Sequence, residues 1–212
     1  MTSFTQTRTQ STTRRVPREE LEETMRRWLE ANRKAEAEGD WKTHLGPFYT
    51  DDAEYRWTVG PGEEFVAIGQ KQISEWACGV HMQGFEGWNY PYDKVLYDDV
   101  QGEIVAFWRQ VSPTVGPDGK RIEVPGVGGS WFRYGGDHKW AEQRDFFDLL
   151  SVFSTFAQVA AAGDLGTPIK KKLASLARGN AITGHQRLGP KPTLGDRLRQ
   201  GSAMAKVFLL GR

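Results

Sequence analysis

The order of hydrophobic periods narrows the fold of this chain most: helical spacing comes first and strand alternation follows. Leu21, Met25, Trp28, Leu29 and Asn32 recur at helical spacing. Pro17 suits the first turn of that helix, and Glu19, Glu20, Glu22 and Glu23 suit its positive end. The pattern stops at Gly39. Asp40 reads as the N-cap of a short second helix through Trp41 and Leu45, closed by Phe48 and Tyr49. Residues 53–59 alternate as a strand that ends in the Gly60-Pro61-Gly62 turn. Gly69 precedes a third helix carrying Ile73, Trp76 and Ala77. The chain then reads as sheet over 94–97, 104–112, 121–134 and 139–147, with a bend at Pro125-Gly126 and Gly128-Gly129. Helices followed by a strand meander predict an α+β fold with an antiparallel sheet, not a doubly wound one.

A chain of 212 residues can bury one sizeable core and still carry an extension. Residues 149–159 form an apolar helical run, and Thr167-Pro168 starts another helix with Ile169, Leu173 and Leu176 on one face. The expected organisation is a disordered, Thr/Ser/Gln-rich segment over 1–15, a folded domain over 16–150, and a helical basic extension over 151–212. Residues 164–212 hold ten Lys/Arg against two Asp, so the tail is basic on an acidic body. The body is the favoured partner for that charge, and contact with a membrane surface is the disfavoured alternative. No nucleic-acid motif accompanies it, and no nucleic-acid partner is expected. The single cysteine, Cys78, fits a reducing compartment. With no signal-like apolar segment at the N-terminus, a cytoplasmic location is expected.

The stretch Gln143-Arg144-Asp145-Phe146-Phe147-Asp148 carries the chemistry. On a strand, Asp145 shares a face with Gln143 and Phe147 while Arg144 points the other way. A carboxylate on an apolar inner face is costly to bury without a partner, so it is either paired structurally or kept for reaction.

The motif order is familiar. A helix ends in Gly39-Asp40-Trp41, Phe48-Tyr49-Thr50-Asp51-Asp52-Ala53 leads into a strand, and Ile68-Gly69-Gln70-Lys71-Gln72-Ile73 follows. A long hairpin and a closing strand with an Asp complete it. Over about residues 17–150 this resembles the nuclear transport factor 2-like, or SnoaL-like, superfamily. The resemblance implies a curved sheet wrapped by three helices into a cone with a pocket at its open end. It also implies a homodimer as the expected assembly. The superfamily includes isomerases, epoxide hydrolases, polyketide cyclases, dehydratases and non-catalytic binding proteins, so the fold alone selects no activity.

Within it, Arg144-Asp145-Phe146-Phe147-Asp148 is most similar to the closing strand of limonene-epoxide hydrolases. That likeness implies a catalytic role for Asp145, a water-holding role for Tyr55, and a carboxylate-bridging role for Arg109. The second carboxylate of that family falls near Val111, which has no acid group, and its water-orienting asparagine falls on Trp57. The acidic oxyanion donor of the isomerases falls at about Ser130.

The candidate catalytic set is therefore Asp145, Arg109, Tyr55 and His81, with Asp145 as general base oriented by Arg109. His81 follows the third helix and has a pKa range suited to proton transfer. Trp57, Trp76, Phe107, Val111, Ser130 and Phe147 are the candidate substrate contacts, and so many aromatics suit a hydrophobic cyclic ligand. The four histidines are scattered, so no metal is expected, and no cofactor motif is present. The expected function is cofactor-free hydrolysis, isomerisation, dehydration or cyclisation of such a ligand. The alternative is a non-catalytic binding or assembly module on the same fold.

Overall fold

A computed structural model of the protein describes residues 15–60, 62–190 and 193–210. Of the expected disordered segment over 1–15, all but Arg15 lies outside the described residues. Helix α1 (Arg18–Glu38) follows Pro17 and closes on Gly39, whose φ of 69° is the left-handed value that glycine takes at low cost. Its buried stripe is Leu21, Met25, Trp28, Asn32 and Ala35, spaced 3–4 residues apart as one helix face requires. Asp40 caps α2 (Trp41–Leu45) by accepting from the Thr43 backbone N–H at 3.0 Å. Strands β1 (Tyr49–Gly60) and β2 (Glu63–Ile68) pair as a hairpin.

The third helix departs from regular geometry. A short α3 (Gln70–Gln72) widens into a π-turn over Ile73–Ala77, with the Cys78 N–H bonded to the Ile73 carbonyl at 3.0 Å. Such widened turns often accompany functional sites. Strands β3 (Tyr92–Asp98) and β4 (Glu103–Trp108) come next. The expected continuous strand over 104–112 instead breaks at Arg109-Gln110. Its second half becomes β5 (Val111–Val115), which pairs with β6 (Arg121–Glu123) in a separate two-stranded sheet. The expected strand over 121–134 is likewise divided, because its glycine-rich bend interrupts pairing, and β7 (Gly128–Gly136) begins beyond it. Strand β8 (Lys139–Phe146) closes the main sheet.

The main sheet has the order β3-β4-β7-β8-β1-β2-β9, where β9 is His185–Arg187 from the C-terminal extension. Every neighbouring pair is antiparallel except β1 with β8, which run parallel. The sheet curves around α1, so that Ala53, Phe65, Ile104, Phe132 and Trp140 from five strands share one core with Leu21, Met25 and Trp28. Trp28 meets Phe48, Phe132 and Trp140 edge-on at 5.4–6.2 Å, the contact geometry aromatic rings prefer.

The extension adds α4 (Leu149–Ala161), α5 (Thr167–Ala177) and α6 (Leu194–Leu210). Asp148 caps α4 by accepting from the Leu150 N–H at 2.9 Å. Val152, Phe156 and Val159 of α4 join Leu165, Ile169 and Trp88 in a second core cluster. None of the described helices is long and apolar enough to cross a membrane.

Candidate active site

Strand register builds the site. On β8, Gln143 and Asp145 point to the concave face. Asp145 lies beside Ser130 of β7 and Trp57 of β1, and Gln143 lies beside Tyr55. Period-two alternation therefore puts Tyr55, Trp57, Ser130, Gln143 and Asp145 on one patch from three adjacent strands. They form the floor of a cavity of about 250 Å³. Trp28, Asn32, Trp41 and Leu45 of the N-terminal helices form one wall, and the stretch from Ala77 to Tyr90, with His81 and Phe85, forms another. Val152, Phe156, Lys172, Leu173, Ile182 and His185 close it from the extension. The tail thus belongs to the site.

The Asp145 carboxylate is held by three donors. Oδ1 accepts from Ser130 Oγ at 2.6 Å and from Gln143 Nε2 at 2.8 Å, and Oδ2 accepts from the Tyr55 hydroxyl at 2.5 Å. Each donor is itself positioned. Ser130 Oγ accepts from Trp108 Nε1 at 2.9 Å, and Gln143 Oε1 accepts from the Tyr49 hydroxyl at 2.6 Å. Burial raises the Asp145 pKa above the ordinary carboxylate value, against the lowering pull of Gln143, Ser130 and Tyr55. Burial also pushes the Tyr55 and Tyr49 hydroxyls well up, with the Asp145 charge adding to both, so both stay protonated donors.

Arg109 does not perform the orienting role expected of it. It follows the end of β4, and its half-exposed guanidinium pairs with Asp93 at 3.0 Å and Glu123 at 3.0 Å, outside the cavity. Phe107 shares that outward face, where it meets Phe146 at 6.1 Å, and the residue turned inward is Trp108. Val111 lies on the separate hairpin, opposite Glu123 and bridged to Asn89. Trp76 packs against the main core without lining the cavity. Asp145, Tyr55, His81, Trp57, Ser130 and Phe147 do line it.

His81 is a neutral tether to the tail. Its Nε2 lies 2.8 Å from the Thr183 carbonyl, its ring stacks on His185 at 5.4 Å, and burial pulls its pKa down to about 4. Cys78 lines the cavity, but burial pushes its thiol up to about 12, so it is not a thiolate nucleophile. Among the described residues, no three His, Cys, Asp or Glu side chains converge as metal ligands would.

Sequence reasoning missed Gln143, Trp108, Tyr49 and Lys172 as site residues. Gln143 carried a signal, since it shares a strand face with Asp145. So did Lys172, three residues after Ile169 and four before Leu176 on the apolar face of α5.

No family model and no curated protein matches the chain. Similar solved structures include an LEH-like epoxide hydrolase of M. tuberculosis, at 16% identity over 76% of this chain and 98% of that one, with a TM-score of 0.46. An NTF2-like protein of Anabaena variabilis is 18% identical over 62% of this chain and 91% of its own, at 0.47. A protein of Jannaschia sp. CCS1, provisionally described as a SnoaL-like polyketide cyclase, is 19% identical over 65% and 91%, at 0.46. They leave the reaction and substrate open.

Proposed function

We propose that this protein is a cofactor-free pocket enzyme in which Asp145 transfers a proton to and from a hydrophobic cyclic ligand. The observation that carries this reading is a carboxylate on the floor of an aromatic cavity, with no cation paired to it among the described residues and its pKa raised by burial. A raised pKa is the shift a general base needs to work near neutrality. The three donors hold the group in one orientation, the preorganisation that makes a buried charge effective. Asp145 would take a proton from a bound water or an acidic C–H through Oδ2, which accepts one protein hydrogen bond where Oδ1 accepts two, and Tyr55, whose single O–H is given to Oδ2, would hold the carboxylate in place. Hydrolysis, isomerisation, dehydration and cyclisation all fit this step.

One observation favours the second reading, a binding module without turnover. Asp145 is the one carboxylate among the described cavity-lining residues, and both of its oxygens are already engaged. Thermal-shift screening with terpenoid, polyketide and steroid libraries, followed by mass analysis of what is released, separates the two. Asp145→Asn should abolish conversion of a hit while leaving its affinity within a few-fold. Unchanged conversion in that variant refutes the enzymatic reading, and release of every hit unaltered by the wild type supports the binding module.

A further inference from the structure

The cavity is electrically asymmetric. Asp145 sits on the sheet floor, and Lys172 of α5 is the one cation among the described residues that line the space. Its neighbours Lys170 and Lys171 are exposed, whereas Lys172 is half-buried beside Phe85, 5.8 Å from its ring centroid. Lys172 Nζ donates to the His81 carbonyl at 2.9 Å and the Gln83 carbonyl at 3.1 Å, the two protein acceptors it has among the described residues. An ammonium has three N–H groups, so these bonds leave one for a further acceptor. His81 and His185 border the same region. Desolvation holds the Lys172 pKa down to about 8, with only Glu86 pulling it back up. A group in that state gains from an anionic partner more than an exposed lysine does, because its charge has lost water without gaining a counter-ion.

We propose that Lys172 is the specificity-determining residue of the cavity, and that it selects a hydrophobic ring compound carrying an anionic oxygen group such as a carboxylate. The inference rests on the cavity being a ligand site, as in the proposed function, and adds the class and orientation of the ligand. Repulsion from Asp145 and attraction to Lys172 act together. They turn the anionic end towards the extension and leave the ring system over Asp145. This assigns a role to the extension: α5 brings to the site a charge that the sheet and N-terminal helices do not supply.

The test is calorimetric titration of the full chain at pH 7 with 2-naphthoate and with its neutral near-isostere naphthalene-2-carboxamide. The wild type should bind the carboxylate at least tenfold more tightly, as expected when the ammonium meets an anion in place of a neutral carbonyl. Lys172→Met keeps the apolar stem and should bring the naphthoate affinity down to that of the amide, with amide binding falling no more than a few-fold. Lys172→Arg should retain the preference, which guards against a trivial folding defect in the methionine variant. Equal binding of the two probes by the wild type, or an undiminished preference in Lys172→Met, overturns the assignment and leaves the proton-transfer reading standing. Failure of both probes to bind overturns it as well. A preserved naphthoate preference in a protein whose Asp145→Asn variant converts ligand normally sinks the enzymatic reading alone.

Discussion

Replacing Ser130 with alanine tests whether its donors hold Asp145 as an anion. The Ser130 hydroxyl joins two buried groups, donating to Asp145 Oδ1 at 2.6 Å and accepting from Trp108 Nε1 at 2.9 Å. Ser130 is 1% exposed, so bulk water does not replace it. Its removal forfeits a hydrogen bond to a charged group, about 1.5–3 kcal/mol, and leaves an indole N–H unpaired, about 1–3 kcal/mol. The sum in the wild-type background is about 2.5–6 kcal/mol. In an Asp145→Asn background the bond to the acceptor is neutral, worth about 0.5–1.5 kcal/mol, while the indole penalty is unchanged. The double-mutant cycle should therefore show a coupling of about 1–2 kcal/mol, read from urea unfolding of the four proteins by tryptophan fluorescence at pH 7. The pH dependence has a definite sign. Burial raises the folded pKa of Asp145, so its contribution is fully present below the unfolded value of about 3.8 and is lost as pH rises through the folded value. Ser130 favours the ionised form, so the deficit of Ser130→Ala should be larger at pH 7 than below 3.8. A coupling under about 0.5 kcal/mol, or a deficit independent of pH, refutes the anionic cradle.

Arg109→Ala should change stability by no more than about 1 kcal/mol and leave pocket ligand affinity unaltered, because its two ion pairs are solvent-exposed. A tenfold loss of ligand affinity in that variant would return Arg109 to the site. His81 gives the fold an acid sensitivity. The unfolded chain takes up its proton near 6.5 but the folded one only at about 4, so stability should fall by up to roughly 3 kcal/mol as pH drops across that window. His81→Gln can still donate to the Thr183 carbonyl and should flatten the curve between those values. Chemical denaturation at several pH values compares the two, and equal slopes would show that His81 is not the group titrating.

The inward set of β1 was readable because Tyr55, Trp57 and Val59 alternate with Glu54, Arg56 and Thr58, whereas both faces of β8 are mixed and Asp145 was singled out by the closing-strand motif. Tyr55 and Trp57 follow from alternation once their strand is recognised. Strand β4 offers no such contrast: Ile104, Ala106 and Trp108 alternate with Val105 and Phe107, and both sets are apolar. Period two then separates the faces without saying which is buried, and the family-based choice of Arg109 and Phe107 fell on the outer one. The break at Arg109-Gln110 removed Val111 from the main sheet altogether. Ser130 and Gln143 become partners of Asp145 only through register: Ser130 is its cross-strand neighbour, and Gln143 shares its face two residues away.

Local preferences along the chain were enough to determine the helix-then-sheet order, the caps at Gly39 and Asp40, the buried acid of the closing strand and the apolar faces of the C-terminal helices. Those features depend on spacing and neighbours within a few residues. Which face of β4 turns inward, what replaces an arginine around Asp145, and where the extension lies were decided only by tertiary structure. Each depends on residues far apart in the chain meeting across strands, or on a helix docking over an apolar opening that the sheet leaves uncovered. Lys172 makes the point most directly: helical spacing sets it on the face of Ile169 and Leu176, and only the docking of α5 shows that this face meets a cavity while Lys170 and Lys171 stay in water.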